Sequence, residues 1–209
     1  MARNSLGLYS WAPRMIMHFN FADPSGYVVV LWVLWLVIWM VAARGVKKVR
    51  AHEPTSTRMA YLLPKVLTAL LLFSPIFRRG VLGQRFIGFS PAAQWAGVAV
   101  TALGILFTIW ARVHIGQNWS ARVVIKEQHE LIRSGPYRWV RHPFYTGLLV
   151  AIAGTAFVSG EWRGVLALAF AIFGFAWKAK REEAILTEEF GEAYARYRGH
   201  TGMLLPRLR

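Results

Sequence analysis

The sequence predicts an all-α integral membrane protein with about five transmembrane helices. Of its 209 residues, 56% are hydrophobic, and the mean hydropathy is +0.36. Charged residues concentrate in short segments between long apolar runs, of which 27–43 (YVVVLWVLWLVIWMVAA) is the clearest. Because a bilayer core requires roughly 20 apolar residues per helix, such runs indicate membrane spans.

Five segments meet or approach this length: 27–43, 59–77, 92–110, 144–159 and 164–177. The second contains Pro64, which membrane helices tolerate, so we expect a kinked helix in which Lys65 extends its ammonium group away from the apolar interior. The last two are separated by four residues only, and they predict a helical hairpin. At its tip, we expect Glu161 and Arg163 to be solvated.

The distribution of lysine and arginine predicts the orientation of the chain. Segments 44–58, 112–141 and 178–209 carry 5, 6 and 7 of these residues, against 6 in the N-terminal segment and the two intervening loops together. Basic residues are enriched in cytoplasmic loops. We therefore expect a multi-pass protein with its N-terminus outside and its C-terminus in the cytoplasm.

The predicted organisation is one structural unit with two parts. Residues 1–111 supply the first three membrane helices, and residues 112–209 supply a polar segment, the hairpin of spans four and five, and a C-terminal tail. No repeat or long linker divides them. In the tail, Leu186, Phe190, Tyr194 and Tyr197 are spaced by four, four and three residues. This spacing predicts a cytoplasmic helix that packs through one apolar stripe.

Composition excludes several classes of function. The net charge of +15 is spread beside apolar runs and not gathered in one solvated arm, so we expect no nucleic-acid partner. The chain has no cysteine, which excludes disulfides, thiolate metal ligands and a cysteine nucleophile. His129 and His142 have no third ligand at a suitable spacing, so we expect no metal site.

Groups able to bind a polar ligand flank the hairpin on both sides. Before it stand His129, Arg133, Tyr137, Arg138, Arg141, His142 and Tyr145; after it stand Lys178, Lys180, Arg181, Glu182 and Glu183. A helical hairpin returns its end close to its start, so these groups are expected to form one composite site.

The residue types in this site suit a zwitterionic ligand. Pro143 is expected to open the hairpin, which places Arg141 and His142 at a helix N-terminus that attracts anions. The neighbouring carboxylates of Glu182 and Glu183 are able to accept an ammonium group or ribose hydroxyls. S-adenosylmethionine carries all of these groups and NADPH carries part of them, while the sequence has no GxGxxG or phosphate-loop motif.

Two motifs resemble a known family. HELIRSGPYRWVRHPFYTG, then a hydrophobic hairpin and REEAILTEEFGEAYARY, are similar to the isoprenylcysteine carboxyl methyltransferases and the related phospholipid methyltransferases, over about residues 112–206. The resemblance implies methyl transfer from S-adenosylmethionine at the cytoplasmic face to a lipid-like substrate that enters from the bilayer. The cofactor-binding residues that it implies are His129, Leu131, Ile132, Tyr137, His142, Tyr145 and Glu182. We add Glu183 to the predicted cofactor-binding residues because its carboxylate is adjacent to that of Glu182.

Lys178 stands where the family often has an arginine that contacts the substrate. Lysine keeps the charge but loses the planar, two-pronged grip on a carboxylate. We expect Lys178 and Arg141 to be the catalytic residues. The sequence does not distinguish between a carboxylate, a thiol and an amine as the methyl acceptor. The first three spans are expected to shape its pocket.

Two other functions are compatible with the sequence. One is a membrane NADPH-dependent reductase of the sterol or steroid type, which has a similar arginine- and histidine-rich border before a terminal hairpin. The other is a non-enzymatic membrane scaffold that recruits a partner through the tail stripe. For the methyltransferase hypothesis, the expected partners are a lipophilic small molecule and membrane lipids, without an obligate protein partner.

Overall fold

The computed structural model describes residues 23–42, 55–88, 90–116 and 131–207. They form five α-helices: α1 (Pro24–Ala42), α2 (Thr55–Phe73), α3 (Pro91–Ile115), α4 (Pro143–Ser159) and α5 (Trp162–His200). Short 3-10 helices occupy Pro75–Arg78, Val81–Gly83 and Gly135–Arg138. Within these ranges the structure contains two isolated β-bridges and no strand, so the predicted all-helical fold is confirmed.

Three helices, α1, α3 and α5, are long and apolar enough to cross a membrane, and Met59–Phe73 and α4 are shorter apolar helices. The predicted second span, 59–77, extends four residues past the end of α2 at Phe73. Ser74 is the N-cap of a separate 3-10 helix that begins with Pro75. In contrast, α5 continues far beyond its apolar part, 162–177. The hairpin's return and the tail helix are one element, whose direction changes at Gly191, where φ is 48°.

Small residues allow α3 and α4 to pack at very short range. Gly97 and Gly104 on α3 face Gly154 and Gly147 on α4, so that each helix presents glycines at a spacing of seven residues. A Cβ atom added to Gly154 would lie 2.5 Å from the Thr101 nitrogen and 2.7 Å from the Gly97 oxygen. Such small-residue interfaces let membrane helices approach until their backbones touch.

Tryptophans attach α1 to this helix pair. The indole N–H of Trp32 donates to Thr155 Oγ1 at 3.0 Å, and that of Trp35 donates to Thr108 Oγ1 at 2.8 Å. The opposite side of α1 exposes Val33, Val37 and other apolar side chains, as expected of a helix that faces lipid.

The prediction that Arg163 is solvated is wrong. Its side chain is buried, with 4% of the residue exposed, and it pairs with Glu161. Its Nη1 donates to the carbonyls of Leu71 and Leu72 at 2.8 and 2.7 Å. The last carbonyls of a helix lack hydrogen-bond donors within the helix. At the end of α2, the guanidinium group of Arg163 is the donor for two of these carbonyls.

The C-terminal half of the predicted tail stripe packs against the polar segment that precedes α4. Tyr194 and Tyr197 are buried, and the Tyr197 hydroxyl donates to the Tyr137 carbonyl at 2.6 Å. Beyond α5, the chain runs beside the start of α4, where the Arg141 nitrogen donates to Gly202 O at 2.8 Å and the His142 nitrogen donates to Met203 O at 3.1 Å.

The glycine interface supports a stability prediction. We expect Gly154→Ala to lower the free energy of unfolding by about 1–3 kcal/mol, because the new methyl group overlaps backbone atoms that have no room to move. Gly199→Ala is the matched control, since an added Cβ atom there meets nothing within 4 Å. Thermal unfolding of both variants in detergent measures the effect, and equal midpoints would contradict the proposed tight packing of α3 and α4.

Candidate functional site

The hairpin brings the two predicted polar segments together, at the end of α5's apolar part. Gly160 ends α4 in the left-handed conformation, with φ 60° and ψ 19°, and α5 starts two residues later. Pro143 is the first residue of α4, as predicted, and His142 precedes it as the N-cap. The side chains of Arg141, His142, Tyr145, Lys178, Glu182 and Glu183 form one contiguous cluster.

His142 lies between the two carboxylates. Its Nδ1 is 3.4 Å from Glu182 Oε2, and its Nε2 is 3.3 Å from Glu183 Oε1. Burial opposes the charged ring, but the two carboxylates outweigh it and raise the pKa of His142 above its ordinary value. Carboxylates only accept hydrogen bonds, so a ring that bonds to both carries a proton on each nitrogen. The geometry therefore favours a buried imidazolium.

Glu182 faces the apolar side of the cluster. Its Oε1 accepts the Tyr145 hydroxyl at 2.7 Å and lies 3.3 Å from Lys178 Nζ, one helical turn earlier. Burial alone would raise the pKa of Glu182, yet Lys178 and His142 lower it to about 2. This carboxylate is ionised at any physiological pH, and it can accept about four hydrogen bonds, so a ligand donor is able to join the three described partners.

Glu183 faces the C-terminal side of the cluster. Arg141 Nε donates to its Oε1 at 2.7 Å, and Arg141 Nη1 also donates to the Thr201 carbonyl. Burial raises the pKa of Glu183, but His142 and Arg141 together lower it below its ordinary value. Arg141 therefore connects this carboxylate to the chain that follows α5.

The other predicted binding residues lie at the edge of this cluster or outside the described part of the chain. Tyr137 is buried, its hydroxyl donates to the Ala111 carbonyl at 3.4 Å, and burial raises its pKa. Leu131 and Ile132 are half-buried in the segment before Gly135–Arg138. His129 falls outside the described residues, and its predicted role stays a prediction.

An apolar cavity of about 450 Å³ adjoins the cluster. Its walls come from α1, α2, α4 and α5, and its aromatic lining includes Trp32, Trp35, Trp39, Phe73, Phe144 and Phe175. Tyr145 and Lys178 belong both to this lining and to the cluster, and only 3% of Lys178 is exposed. The cavity thus meets the polar site at these two side chains.

Lys65 is a cavity residue that the sequence did not assign to the site. Its ammonium nitrogen lies 4.7 Å from the Tyr61 ring centre and 5.5 Å from that of Phe175, so it faces the cavity instead of extending away from the protein. The sequence signal that could have indicated this role is a lysine inside an apolar run, four residues after Tyr61. An ionisable residue within a membrane span usually has a functional role.

Comparison with known proteins supports membrane methyl transfer. The model of the isoprenylcysteine carboxyl methyltransferase family matches residues 97–188, which contain the hairpin and the whole cluster. The protein-S-isoprenylcysteine O-methyltransferase of Schizosaccharomyces pombe is 32% identical over 108 residues, which are 50% of this chain and 46% of that enzyme. The chain therefore spans about half the length of this relative.

A second relative aligns with almost the whole chain. The methanethiol S-methyltransferase of Mycobacterium tuberculosis is 28% identical over 93% of this chain and 84% of its own length.

The fold also has a solved counterpart. The structure of the eukaryotic intramembrane Ras methyltransferase, isoprenylcysteine carboxyl methyltransferase, matches with a TM-score of 0.55 at 23% identity, over 89% of this chain and 68% of that one. The chain is thus similar in sequence to the isoprenylcysteine carboxyl methyltransferase family and in fold to an integral membrane methyltransferase, which confirms the resemblance that its motifs indicate.

Proposed function

We propose that this protein transfers a methyl group from S-adenosylmethionine to a small lipophilic acceptor at the cytoplasmic face of a membrane. The observation that carries the proposal is the junction at Tyr145 and Lys178, where a charged cluster meets an apolar cavity. A polar cofactor and a lipophilic acceptor need neighbouring sites of these two kinds. The similarity to membrane methyltransferases supports the same conclusion.

The donors and acceptors of the cluster fit this cofactor. Glu182 is held ionised and is able to accept an ammonium group or a hydroxyl, and Glu183 offers a second carboxylate beside it. His142 and Arg141, at the start of α4, supply positive charge for a carboxylate. When bound, S-adenosylmethionine supplies a methyl group that its sulfonium already activates.

The remaining residues orient the reactants and exclude water. Lys178 lines the cavity beside Glu182, so its ammonium group is suited to contact the acceptor. The aromatic walls keep the acceptor's environment dry, which strengthens electrostatic interactions within it. An acceptor that is already ionised needs alignment more than a general base.

Arg141 has contacts that favour a positioning role. Its guanidinium is engaged with Glu183 and with the carbonyls of Arg198 and Thr201, and it is not among the side chains that line the described cavity. Its catalytic role remains a prediction, and we assign to it the orientation of Glu183.

Cofactor binding tests the proposal directly. We expect purified protein to bind S-adenosylmethionine and not NADPH, and Glu182→Gln to weaken this binding by about tenfold to a hundredfold, because a charged hydrogen-bond partner of the ligand is lost. Isothermal titration calorimetry measures both affinities. Glu188→Gln is the matched control, since Glu188 is exposed on the same helix.

Two results would contradict this proposal. Binding of NADPH without S-adenosylmethionine would favour a reductase, and the absence of binding of either cofactor would favour a scaffold. An affinity that Glu182→Gln leaves unchanged would remove Glu182 from the cofactor site.

The cluster also predicts a pH dependence of stability. The folded pKa of His142 is raised above 6.5, so its charge stabilises the fold fully below pH 6.5, and this contribution is lost as the pH rises through the folded value. For Glu182, lowered from 4.5 to about 2, the contribution is present above pH 4.5 and is lost as the pH falls through 2. Both contributions are therefore largest between pH 4.5 and 6.5.

Comparison of the wild type with His142→Gln isolates the histidine contribution. We expect the difference between their thermal midpoints to be largest near pH 6 and to shrink as the pH rises above 6.5, as the imidazolium of the wild type loses its proton. His200→Gln, at an exposed position, is the control and is expected to follow the wild type. A difference that does not vary with pH would mean that His142 has the same pKa in the folded and the unfolded protein, which would contradict the raised pKa.

A further inference from the structure

A second charged surface lies at the end of the hairpin opposite to the cluster. There the connection between α2 and α3 packs against the turn between α4 and α5, and we call the segments that meet, 74–88 and 160–163, the tip surface. Phe86 N donates to Gly160 O at 2.8 Å, and Trp162 N donates to Gln84 O at 3.1 Å. Because α4 has 17 residues and an α-helix rises about 1.5 Å per residue, the tip surface lies roughly 25 Å from the start of α4.

The tip surface carries an excess of positive charge. It contains four arginines and one acidic residue, Glu161, which gives a net charge of +3. Glu161 pairs with Arg163, whose guanidinium group is buried, so these two charges balance within the protein. The other three, Arg78, Arg79 and Arg85, are exposed. The exposed side of this surface is therefore cationic.

These arginines run against the charge distribution of the rest of the chain. The N-terminal segment and the two intervening loops carry six lysine and arginine residues, and four of these six belong to the tip surface. Enrichment of basic residues on the cytoplasmic side explains the other polar segments and gives no reason for cations at this end. The three exposed arginines therefore indicate a local anionic partner.

Large apolar side chains are exposed beside the arginines. Ile76 is 71% exposed and Val81 is 69% exposed, and each belongs to one of the two 3-10 helices of this segment. Phe86 and Trp162 are also exposed, with their ring centres 5.4 Å apart. Tryptophan and other amphipathic groups are typical of the interface between a membrane and water. The position of this surface at the ends of apolar helices fits the level of the lipid headgroups.

We propose that the tip surface binds the headgroup phosphate of an anionic phospholipid in the bilayer. A guanidinium group is planar and is able to donate two parallel hydrogen bonds to a phosphate. Arg78 and Arg79 are adjacent, with Ile76 before them and Val81 after them, so one lipid is able to contact the arginines through its phosphate and the apolar residues through its acyl chains. The inference does not depend on methyl transfer.

The combination of charge and apolar surface selects the lipid among possible anions. A free phosphate ester or a nucleic-acid backbone matches the arginines but offers no hydrocarbon to Ile76 and Val81. A phosphatidylcholine has the acyl chains, but its headgroup is neutral overall and its choline group is cationic, so it does not balance the charge of the surface. An anionic phospholipid matches both features.

Binding at this position also sets the depth of the hairpin in the membrane. The hydrocarbon core of a bilayer is about 30 Å thick, close to the length of α4. When the tip surface is held at the headgroups of one leaflet, the start of α4 and the charged cluster lie near the headgroups of the other.

Native mass spectrometry of the full chain tests the affinity. We expect the protein to retain phosphatidylglycerol in preference to phosphatidylcholine with the same acyl chains. Arg78→Gln/Arg79→Gln is expected to weaken phosphatidylglycerol binding by about tenfold to thirtyfold, because two charges near the lipid surface are lost. Arg85 is kept, since its Nε donates to Ile87 O and supports the local fold.

Arg196→Gln/Arg198→Gln is the matched control, because it removes the same charge from exposed positions on the tail. We expect it to change phosphatidylglycerol affinity less than about twofold. An equal loss in both double variants would overturn the proposal, since it would show attraction by the total charge and not by the tip surface. Equal retention of the two lipids by the wild type would also overturn it.

A label placed at the tip surface tests where the lipid binds. The chain has no cysteine, so Val81→Cys provides a single attachment point for a fluorophore. In detergent micelles we expect saturable quenching of this label by phosphatidylglycerol with brominated acyl chains, weaker quenching by the brominated phosphatidylcholine, and no reversal by glycerol phosphate. The quenching is expected to require Arg78 and Arg79.

The same fluorophore on Gly199→Cys, at an exposed position of the tail, is the control and is expected to show no preference between the two lipids. Equal quenching at position 81 by both lipids would refute the anionic site, and reversal by glycerol phosphate would replace it with a site for soluble phosphate esters. Quenching that persists in Arg78→Gln/Arg79→Gln would remove these arginines from the site.

Discussion

The contact on which the site depends is that of one histidine with two adjacent carboxylates. Glu182 and Glu183 are successive residues of α5, so their side chains point about 100° apart around the helix and lead to different neighbours. His142 reaches both, because it stands at the N-cap of α4, where the hairpin returns. One carboxylate then faces Lys178 and the cavity, and the other faces Arg141 and the end of the chain. Loss of the imidazolium would leave two buried negative charges side by side.

That contact requires accurate placement of α4, and the packing against α3 provides it. The backbones of α3 and α4 touch at four glycines, so neither helix has much freedom to slide or rotate against the other. These glycines are Gly97, Gly104, Gly147 and Gly154. The Trp32 and Trp35 hydrogen bonds then set α1 against the same pair, and this also places their rings in the cavity wall. Scaffold and pocket are therefore parts of one packing arrangement.

Local rules were sufficient to predict much of this site. Pro143 predicts the start of a helix, and the short connection of four residues, 160–163, predicts that the two helices form a hairpin. The hairpin then places His142 and Tyr145 beside Glu182, so these contacts follow from local sequence signals. The role of Arg163 could not be predicted in this way, because its partners on α2 lie about 90 residues earlier. The same holds for Lys65, whose orientation depends on Phe175, and for the pairing of Arg141 with Gly202, which no sequence pattern signals.

The boundary of the family resemblance has a physical meaning. The matched segment, 97–188, carries most of α3, all of α4 and the charged part of α5, which build the cluster, whereas α1 and α2 lie outside it. These two helices supply Trp35, Trp39 and Lys65 to the cavity. The matched segment therefore contains the charged cluster, whereas more than half of the residues that line the cavity come from α1 and α2. For the proposed methyl transfer, the environment of the acceptor therefore depends largely on side chains from helices outside the matched segment.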